Sequence, residues 1–534
     1  MKRSPNVGGV TTAAARNPHD VLGRSLIDKL IDGIVASPRA DRHPTLAPFT
    51  GTPLAELPLS TPDDVATAYE AARAAQRAWS ARPLRERARI IGRVHDLVLD
   101  RQSALADLVQ AESGKARRDA FEEIGDVALA ARYSAVRGPQ VLRDRRRSGL
   151  VPGLTKAMEV RHPKGVVGVI SPFNYPLTLA ISDSLPAFVA GNAVVHKPDL
   201  QAVLTALMAR SIAIEAGLPE GLWQIVSGDG PGIGGAVVDR ADFVSFTGST
   251  AVGRQISARA GERLVGATLE LGGKNPMVVL EDANLDRAAE CAVRACFSNA
   301  GQLCISVERL YLSASIREAF LERFLDRTRR LRLGAGFDYQ HDVGSLVSQA
   351  QLDKTQRHVE DAVTKGAQIL TGGKPRPDLG PWFFEPTVLS GVRRGMLAAD
   401  DETFGPVVSI YSFDTDDEAV EQANDSMYGL NASVWSGNTR RGIAVARRIR
   451  AGAVNVNEAY GATWGSHDLP SGGTGASGLG RRHGREGILR YTEPQAIAVQ
   501  RMHGITPLPW HKSYDQLARL WTRNSKLMRR LGRP

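Results

Sequence analysis

The sequence predicts an α/β protein built on a doubly wound parallel sheet. Three observations carry that prediction. Between residues 163 and 270, short β-rich runs lead into helical patterns: "GVVGVIS", "NAVVHKP", "WQIVSGDG" into "PGIGGAVVD", and "DFVSFTGS" into "TAVGRQISARAG". Strand, glycine turn and helix in repeated order make a parallel sheet with crossover helices. A second α/β series occupies about 271–480, with "NPMVVL", "VVSIYSF" and "GAVNVN" among its candidate strands. Finally, 534 residues are too many for one hydrophobic core, so two or three subdomains are expected.

Taken from the N-terminus, residues 1–45 begin "MKRSPNVGGVTTAAARNPHD", basic and rich in small residues. They lack the apolar stretch of a secretory signal, so export is not expected, and they read as poorly ordered. "FTGTPLAELPLS" (49–60) reads as a turn and short strands. Thr61 then serves as an N-cap, with Pro62 at the first helical position and acids in the first turn. Apolar residues recur at helical spacing from there, and further helix runs to about residue 137. After the two α/β series, "QAIAVQR" (495–501) reads as an edge or pairing strand.

Composition narrows the function. The 43% hydrophobic and 23% charged fractions are ordinary for a soluble enzyme. No apolar run approaches the roughly 18–20 residues of a membrane span. Three cysteines make no disulfide framework and have no zinc spacing, so a reduced, cytoplasmic protein without a metal is expected. The net charge of +10 is carried at the ends: residues 1–44 hold +3 and 501–534 hold +7, which leaves the body neutral. Nucleic acid is therefore not the expected partner. The basic "DQLARLWTRNSKLMRRLGRP" reads as a solvated or packed tail, or as an amphipathic helix for an anionic membrane surface.

The glycine turns offer a ligand site. "GPGIGG" holds G-x-G-x-x-G at Gly230, Gly232 and Gly235, a turn that lets backbone approach a pyrophosphate. "FTGSTAVG" offers Gly248, Ser249 and Gly253, whose N–H groups and hydroxyl can hold a phosphate. Each is also a plain strand-to-helix turn, but two in one sheet favour a dinucleotide site. Lys197 ends a strand on the ligand side of such a sheet, as a ribose or phosphate contact or as a surface lysine. Glu270 stands in the apolar "LELGGKNP", where an acid is either paired or functional, and partial burial would suit a general base. Cys291 and Cys296 lie in a helical run. Cys304 sits in the Gly-Gln loop of "NAGQLCISVER", where a nearby helix N-terminus could lower its pKa. Asn174, in "SPFNYP" just past a strand end, could donate to an oxyanion together with the Cys304 backbone N–H. Thiol, carboxylate, amide and dinucleotide turns suggest one reaction: thiol addition to an aldehyde, hydride loss to a nicotinamide, and hydrolysis of the thioester.

"PFNYP", "GNAVVHKP", "FTGSTAVG", "LELGGKNP", "NAGQLCISVER", "ETFGPVVSI", "ANDSMYGLNASVW" and "SGLGRRHGREGILRYTE" resemble, in order and spacing, the signatures of the aldehyde dehydrogenase superfamily. The resemblance runs from about residue 50 to 500, and the wording is most similar to one group of succinate-semialdehyde dehydrogenases. It implies a Rossmann-like cofactor domain (46–141 and 164–270), an α/β catalytic domain (271–489) and a small oligomerisation arm (142–163 and 490–502). Residues 1–45 would then be an extension and 503–534 a basic tail. It places the nucleophile at Cys304, the general base at Glu270 and the oxyanion amide at Asn174. It places cofactor contacts at Ser171, Phe173, Asn174, Lys197, Asp199, Leu200, Gly230, Gly234, Phe246, Gly248, Ser249, Leu271, Glu402 and Phe404. A homodimer or homotetramer is implied.

The departures refine this. The family's Lys-Pro-Ser-Glu reads Lys197-Pro198-Asp199-Leu200 here. In NAD-preferring members that glutamate binds the adenosine-ribose hydroxyls. Leu200 cannot, nor does it repel a 2′-phosphate, so NADP is expected, with NAD as the alternative. The arginines that grip a substrate carboxylate in similar succinate-semialdehyde enzymes are Ser182 and Ser298 here, and Gly475 replaces a motif lysine. Succinate semialdehyde is the leading substrate. Rival readings are longer aliphatic or aromatic aldehydes, a CoA-acylating enzyme (against which Glu270 argues), and a non-catalytic binding protein on the same fold.

Overall fold

The computed structural model describes residues 17–150, 155–501 and 513–532. Two parallel sheets organise the chain. The first has six strands in the order Gly478–Leu479, Ala267–Glu270, Phe243–Thr247, Val166–Ser171, Ala193–Pro198 and Trp223–Ile225. All are parallel except Gly478–Leu479, which runs antiparallel to Ala267–Glu270 with Gly478 opposite Glu270. The second has seven strands, ordered Gln368–Thr371, Thr387–Ser390, Val407–Phe413, Val307–Ser313, Asn275–Val279, Asn431–Trp435 and Ala453–Val456. Only its first pair is antiparallel.

Local sequence accounts for these elements. The central strands of both sheets are buried along their length, as continuous Val/Ile-rich runs between helix layers must be. Helix Pro62–Ser80 starts with the expected cap: Thr61 accepts from the Asp64 N–H while the Asp64 carboxylate accepts from the Thr61 N–H at 2.8 Å. Helix Pro176–Ala190 is buried on every side and carries an apolar run to match. Cys291 and Cys296 lie in helix Leu285–Phe297, which packs its apolar face into the second core.

Residues 17–45 depart from the expected poor order. Asn17 caps helix Pro18–Leu22, and helix Arg24–Ile31 follows directly. Leu22, Ile27, Leu30 and Ile34 enter the first core, which secures the segment by apolar burial that its polar surroundings conceal in the sequence. Arg42–Leu46 pairs with Pro53–Pro58 as a separate hairpin. Residues 1–16 lie outside the described part. The boundary expected at 489 also shifts. Gly478–Leu479 pairs with Ala267–Glu270 at the edge of the first sheet, and Ile488 and Tyr491 belong to the first core, so residues 478–491 pack with the first sheet.

Arg145–Arg147, Thr155–Pro163 and Thr492–Gln500 form a third, three-stranded antiparallel sheet. Its Thr492–Gln500 strand is exposed over all but its first residue. Residues 513–532 contain helix Tyr514–Arg530, with no buried side chain. Among the described residues no helix is long and apolar enough to cross a membrane.

Candidate active site

Cys304 follows helix Leu285–Phe297 and precedes strand Val307–Ser313. The loop between them is tightly fixed. Asn299, Ala300 and Gly301 all take positive φ, at 52°, 53° and 73°. Two consecutive non-glycine residues in this region are costly and need surrounding support. Here the support is polar: the Asn299 N–H donates to Asp119 at 3.0 Å, and its amide donates to the carbonyls of Asn174 (2.9 Å) and Gln302 (3.0 Å). A Cβ on Gly301 would meet the Gly405 carbonyl at 2.1 Å, so glycine lets this loop lie against "ETFGP". On the far side of Cys304, Asn275 donates to the carbonyls of Cys304 (2.8 Å) and Ser306 (2.7 Å).

The environment of Cys304 differs from the expected helix N-terminus. The thiol lies beyond a helix C-terminal end, and burial pushes it up to about 12. The Arg482 guanidinium pulls the other way, while the carboxylates of Glu402 and Glu270 add to the rise. A base is therefore needed to make the thiolate.

Glu270 ends its strand with its side chain buried and Oε1 without a partner. Burial raises it to about 7, against the pull of Arg482, Arg490 and Arg481. That value fits a proton acceptor near neutral pH. Asn174 donates its amide to the Gln302 carbonyl at 3.1 Å, two residues before Cys304. The three candidate catalytic residues thus converge where the two sheets meet.

Arg482 is the residue that sequence reasoning missed. Its guanidinium binds Asp183 through two bonds, at 3.0 and 2.9 Å, and donates to Thr247 Oγ1 at 2.6 Å. Thr247 is the cross-strand partner of Glu270, which puts this buried cation beside the carboxylate. Arg490 donates to the same Asp183 at 2.7 Å. "GRRHGRE" gives no hint of which arginine turns inward.

A second buried pair sets the "ETFGP" turn. Lys274 and Glu308 meet at 2.5 Å, Lys274 also holds the Asp401 carbonyl, and Glu308 accepts the N–H groups of Thr403 and Phe404. Phe404 takes φ +57° and meets the Phe173 ring edge-on at 6.0 Å. Glu402 accepts from the Gly273 N–H at 2.8 Å, and burial raises it to about 7.

The crevice at the carboxyl ends of the first sheet suits a dinucleotide. Lys197 is buried there, bonded only weakly to the Pro198 carbonyl at 3.3 Å, and burial lowers its pKa against Asp199 and Asp229. An ammonium so placed has unused donors for a ribose or phosphate. Asp199 does not turn freely: its carboxylate accepts from the Gln201 N–H at 3.0 Å and caps the next turn. Leu200 is half-buried against the first core. Gly230 and Gly234 face open space in a wide helical turn, and Asp229 already occupies the Gly232 N–H at 2.6 Å. Ser249 caps the 13-residue helix Thr250–Glu262, and Gly248 lies over the Phe246 ring where a Cβ would come within 2.6 Å. Leu271 is fixed by its N–H to the Ser477 carbonyl at 2.9 Å. Ser171 bonds His196 at 2.7 Å.

Ser182 and Ser298, at the positions of the expected arginines, bind Asp126 and Tyr460. One helical turn before Ser298, Arg294 stacks on the Tyr460 ring at 4.9 Å and pairs with Glu458 at 3.4 Å.

Comparison with known proteins gives the family and the fold. The profile of the aldehyde dehydrogenase family matches residues 34–497. A Mycobacterium tuberculosis (strain ATCC 25618 / H37Rv) protein described as "Putative succinate-semialdehyde dehydrogenase [NADP(+)] 2" is 52% identical over 477 residues, covering 88% of this chain and 92% of that one. A Mycolicibacterium smegmatis relative described as "Putative succinate-semialdehyde dehydrogenase [NADP(+)]" is 51% identical over 86% of this chain and 89% of its own. The crystal structure of an NAD-dependent aldehyde dehydrogenase from Sinorhizobium meliloti superposes with a TM-score of 0.85 at 35% identity, covering 90% of this chain and 94% of that one.

Proposed function

The chain belongs to the aldehyde dehydrogenase family, and we propose that it oxidises succinate semialdehyde to succinate with NADP as the hydride acceptor. The observation that carries this is the convergence of Cys304, Glu270 and Asn174 beside the crevice of the first sheet. Glu270 takes the thiol proton, and Cys304 Sγ bonds the aldehyde carbon. Asn174 Nδ2 and the Cys304 N–H hold the resulting oxyanion. When bound, the dinucleotide supplies the hydride acceptor, and an acyl group then remains on Cys304 as a thioester. Glu270 releases the thiol's proton to solvent, then draws a proton from water as that water attacks the acyl carbon, and returns it to Cys304 Sγ as the C–S bond breaks and the acid leaves.

Residues of the crevice that would hold the cofactor are Ser171, Phe173, Lys197, Gly230, Gly234, Phe246, Gly248, Ser249, Leu271, Glu402 and Phe404. NADP is favoured because Leu200 presents no charge to a 2′-phosphate, while Asp199 is committed to its cap. The relatives' descriptions name the same cofactor and substrate. For the substrate carboxylate we assign Arg294, whose half-exposed guanidinium stands one turn from Ser298. Comparing kcat/KM for succinate semialdehyde and for uncharged aliphatic aldehydes tests this. Arg294→Gln should raise KM for the former alone, and an equal loss on both would favour the reading of longer or aromatic aldehydes, which the serines at 182 and 298 support. We also propose a cytoplasmic homo-oligomer that pairs through the exposed Thr492–Gln500 strand.

A further inference from the structure

Helix Tyr514–Arg530 divides its side chains cleanly. At 100° per residue, Leu517, Leu520, Trp521, Leu527 and Met528 fall within about 120° of arc, and Arg519, Arg523, Lys526, Arg529 and Arg530 within about 120° on the other side. Asp515 is the single acid, bound to Arg519 one turn on. The apolar arc is not packed away: Leu520, Trp521 and Leu527 stay 40%, 42% and 51% exposed. An apolar stripe left in water marks a binding surface rather than a fold element.

Charge decides between partners. Most of the chain's positive charge beyond its neutral body, +7 of the total +10, falls in residues 501–534. A body of zero net charge gives the basic arc no net attraction to a second copy. Nucleic acid would use the basic face and leave Trp521 and the leucines wet. A bilayer with anionic headgroups satisfies both arcs at once, because the apolar side enters the acyl boundary while flanking arginines and lysine reach the headgroups. At 17 residues the helix is too polar to span and would lie along the surface.

We propose that helix Tyr514–Arg530 docks the enzyme onto anionic phospholipid bilayers. The test is co-sedimentation of the full-length protein with vesicles of phosphatidylcholine plus phosphatidylglycerol, and with pure phosphatidylcholine. Binding is expected to the mixed vesicles only and to fall steeply in high salt. Leu520→Asp with Trp521→Asp, and separately Arg523→Glu with Arg530→Glu, should each weaken it by about tenfold or more. Unchanged aldehyde turnover in both variants shows that the body is folded. No sedimentation with mixed vesicles, equal binding to both compositions, or binding that survives both variants would overturn the proposal. So would a loss of oligomeric state in the Leu520/Trp521 variant, since the stripe would then be covering a second copy.

Discussion

Glu270→Gln separates chemistry from stability at one position. The wild-type carboxyl rises from 4.5 to about 7 because the fold buries it with Oε1 unpartnered. A carboxyl whose folded pKa exceeds its unfolded value binds an extra proton in the native state between the two. Its stabilising contribution is therefore full below about pH 4.5 and is lost as pH rises through 7. Across pH 5 to 8 the wild type should lose roughly 2–3 kcal/mol that the glutamine variant keeps. The buried amide has its own cost, but that cost is the same at both pH values and cancels in the comparison. Kinetically, the variant should still give a burst of reduced cofactor, and steady-state turnover should then fall by about 10²–10⁴-fold. The acid limb of the wild-type kcat profile, set by Glu270 near 7, should vanish with it. The assays are denaturation at pH 5 and pH 8 and stopped-flow absorbance of the reduced nicotinamide. An unchanged steady-state rate would refute the role as base, and an unchanged pH dependence of stability would refute the buried charge.

Three further outcomes follow from the same geometry. Cys304→Ala should end turnover while cofactor still binds, whereas Cys291→Ala and Cys296→Ala, both on the Leu285–Phe297 helix, should stay mostly active; a Cys304→Ala enzyme with near wild-type kcat would remove the nucleophile. Wild-type kcat/KM should be higher for NADP than for NAD, with partial reversal in Leu200→Glu, because a carboxylate roughly 4 Å from a 2′-phosphate costs about 4 kcal/mol per unit-charge pair before screening at an effective dielectric near 20. A tenfold preference for NAD that Leu200→Glu leaves unchanged would mean that another residue sets the choice. Arg482→Gln should shift the acid limb of kcat to higher pH, since its guanidinium holds both Glu270 and Cys304 down, and Arg482→Lys should restore part of the shift; a profile that does not move would limit Arg482 to packing.

Much of this was legible in the sequence, and the exceptions have physical causes. The strands of both sheets announce themselves because a parallel strand buried on both faces must be apolar throughout, as in "GVVGVIS" and "NAVVHKP". Cys304 and Glu270 stand out because a thiol in a glycine loop and a carboxylate in an apolar run are chemically out of place. Arg482 did not stand out, because its inward turn depends on Asp183, almost 300 residues earlier, and no local pattern encodes that pairing. The N-terminal helices were hidden for a related reason: Ile27 and Leu30 make sense only against the core they enter. The sign of the Cys304 shift was also beyond reach. A loop position says nothing of depth, and here burial outweighs Arg482.

The central claim is that the acyl group rides on Cys304. Its most direct test is mass spectrometry of Glu270→Gln quenched during turnover with succinate semialdehyde and NADP. A peptide containing Cys304 should carry one succinyl group, labile to hydroxylamine as a thioester is. An unmodified Cys304, or the acyl group on any other residue while reduced cofactor accumulates, would contradict the account.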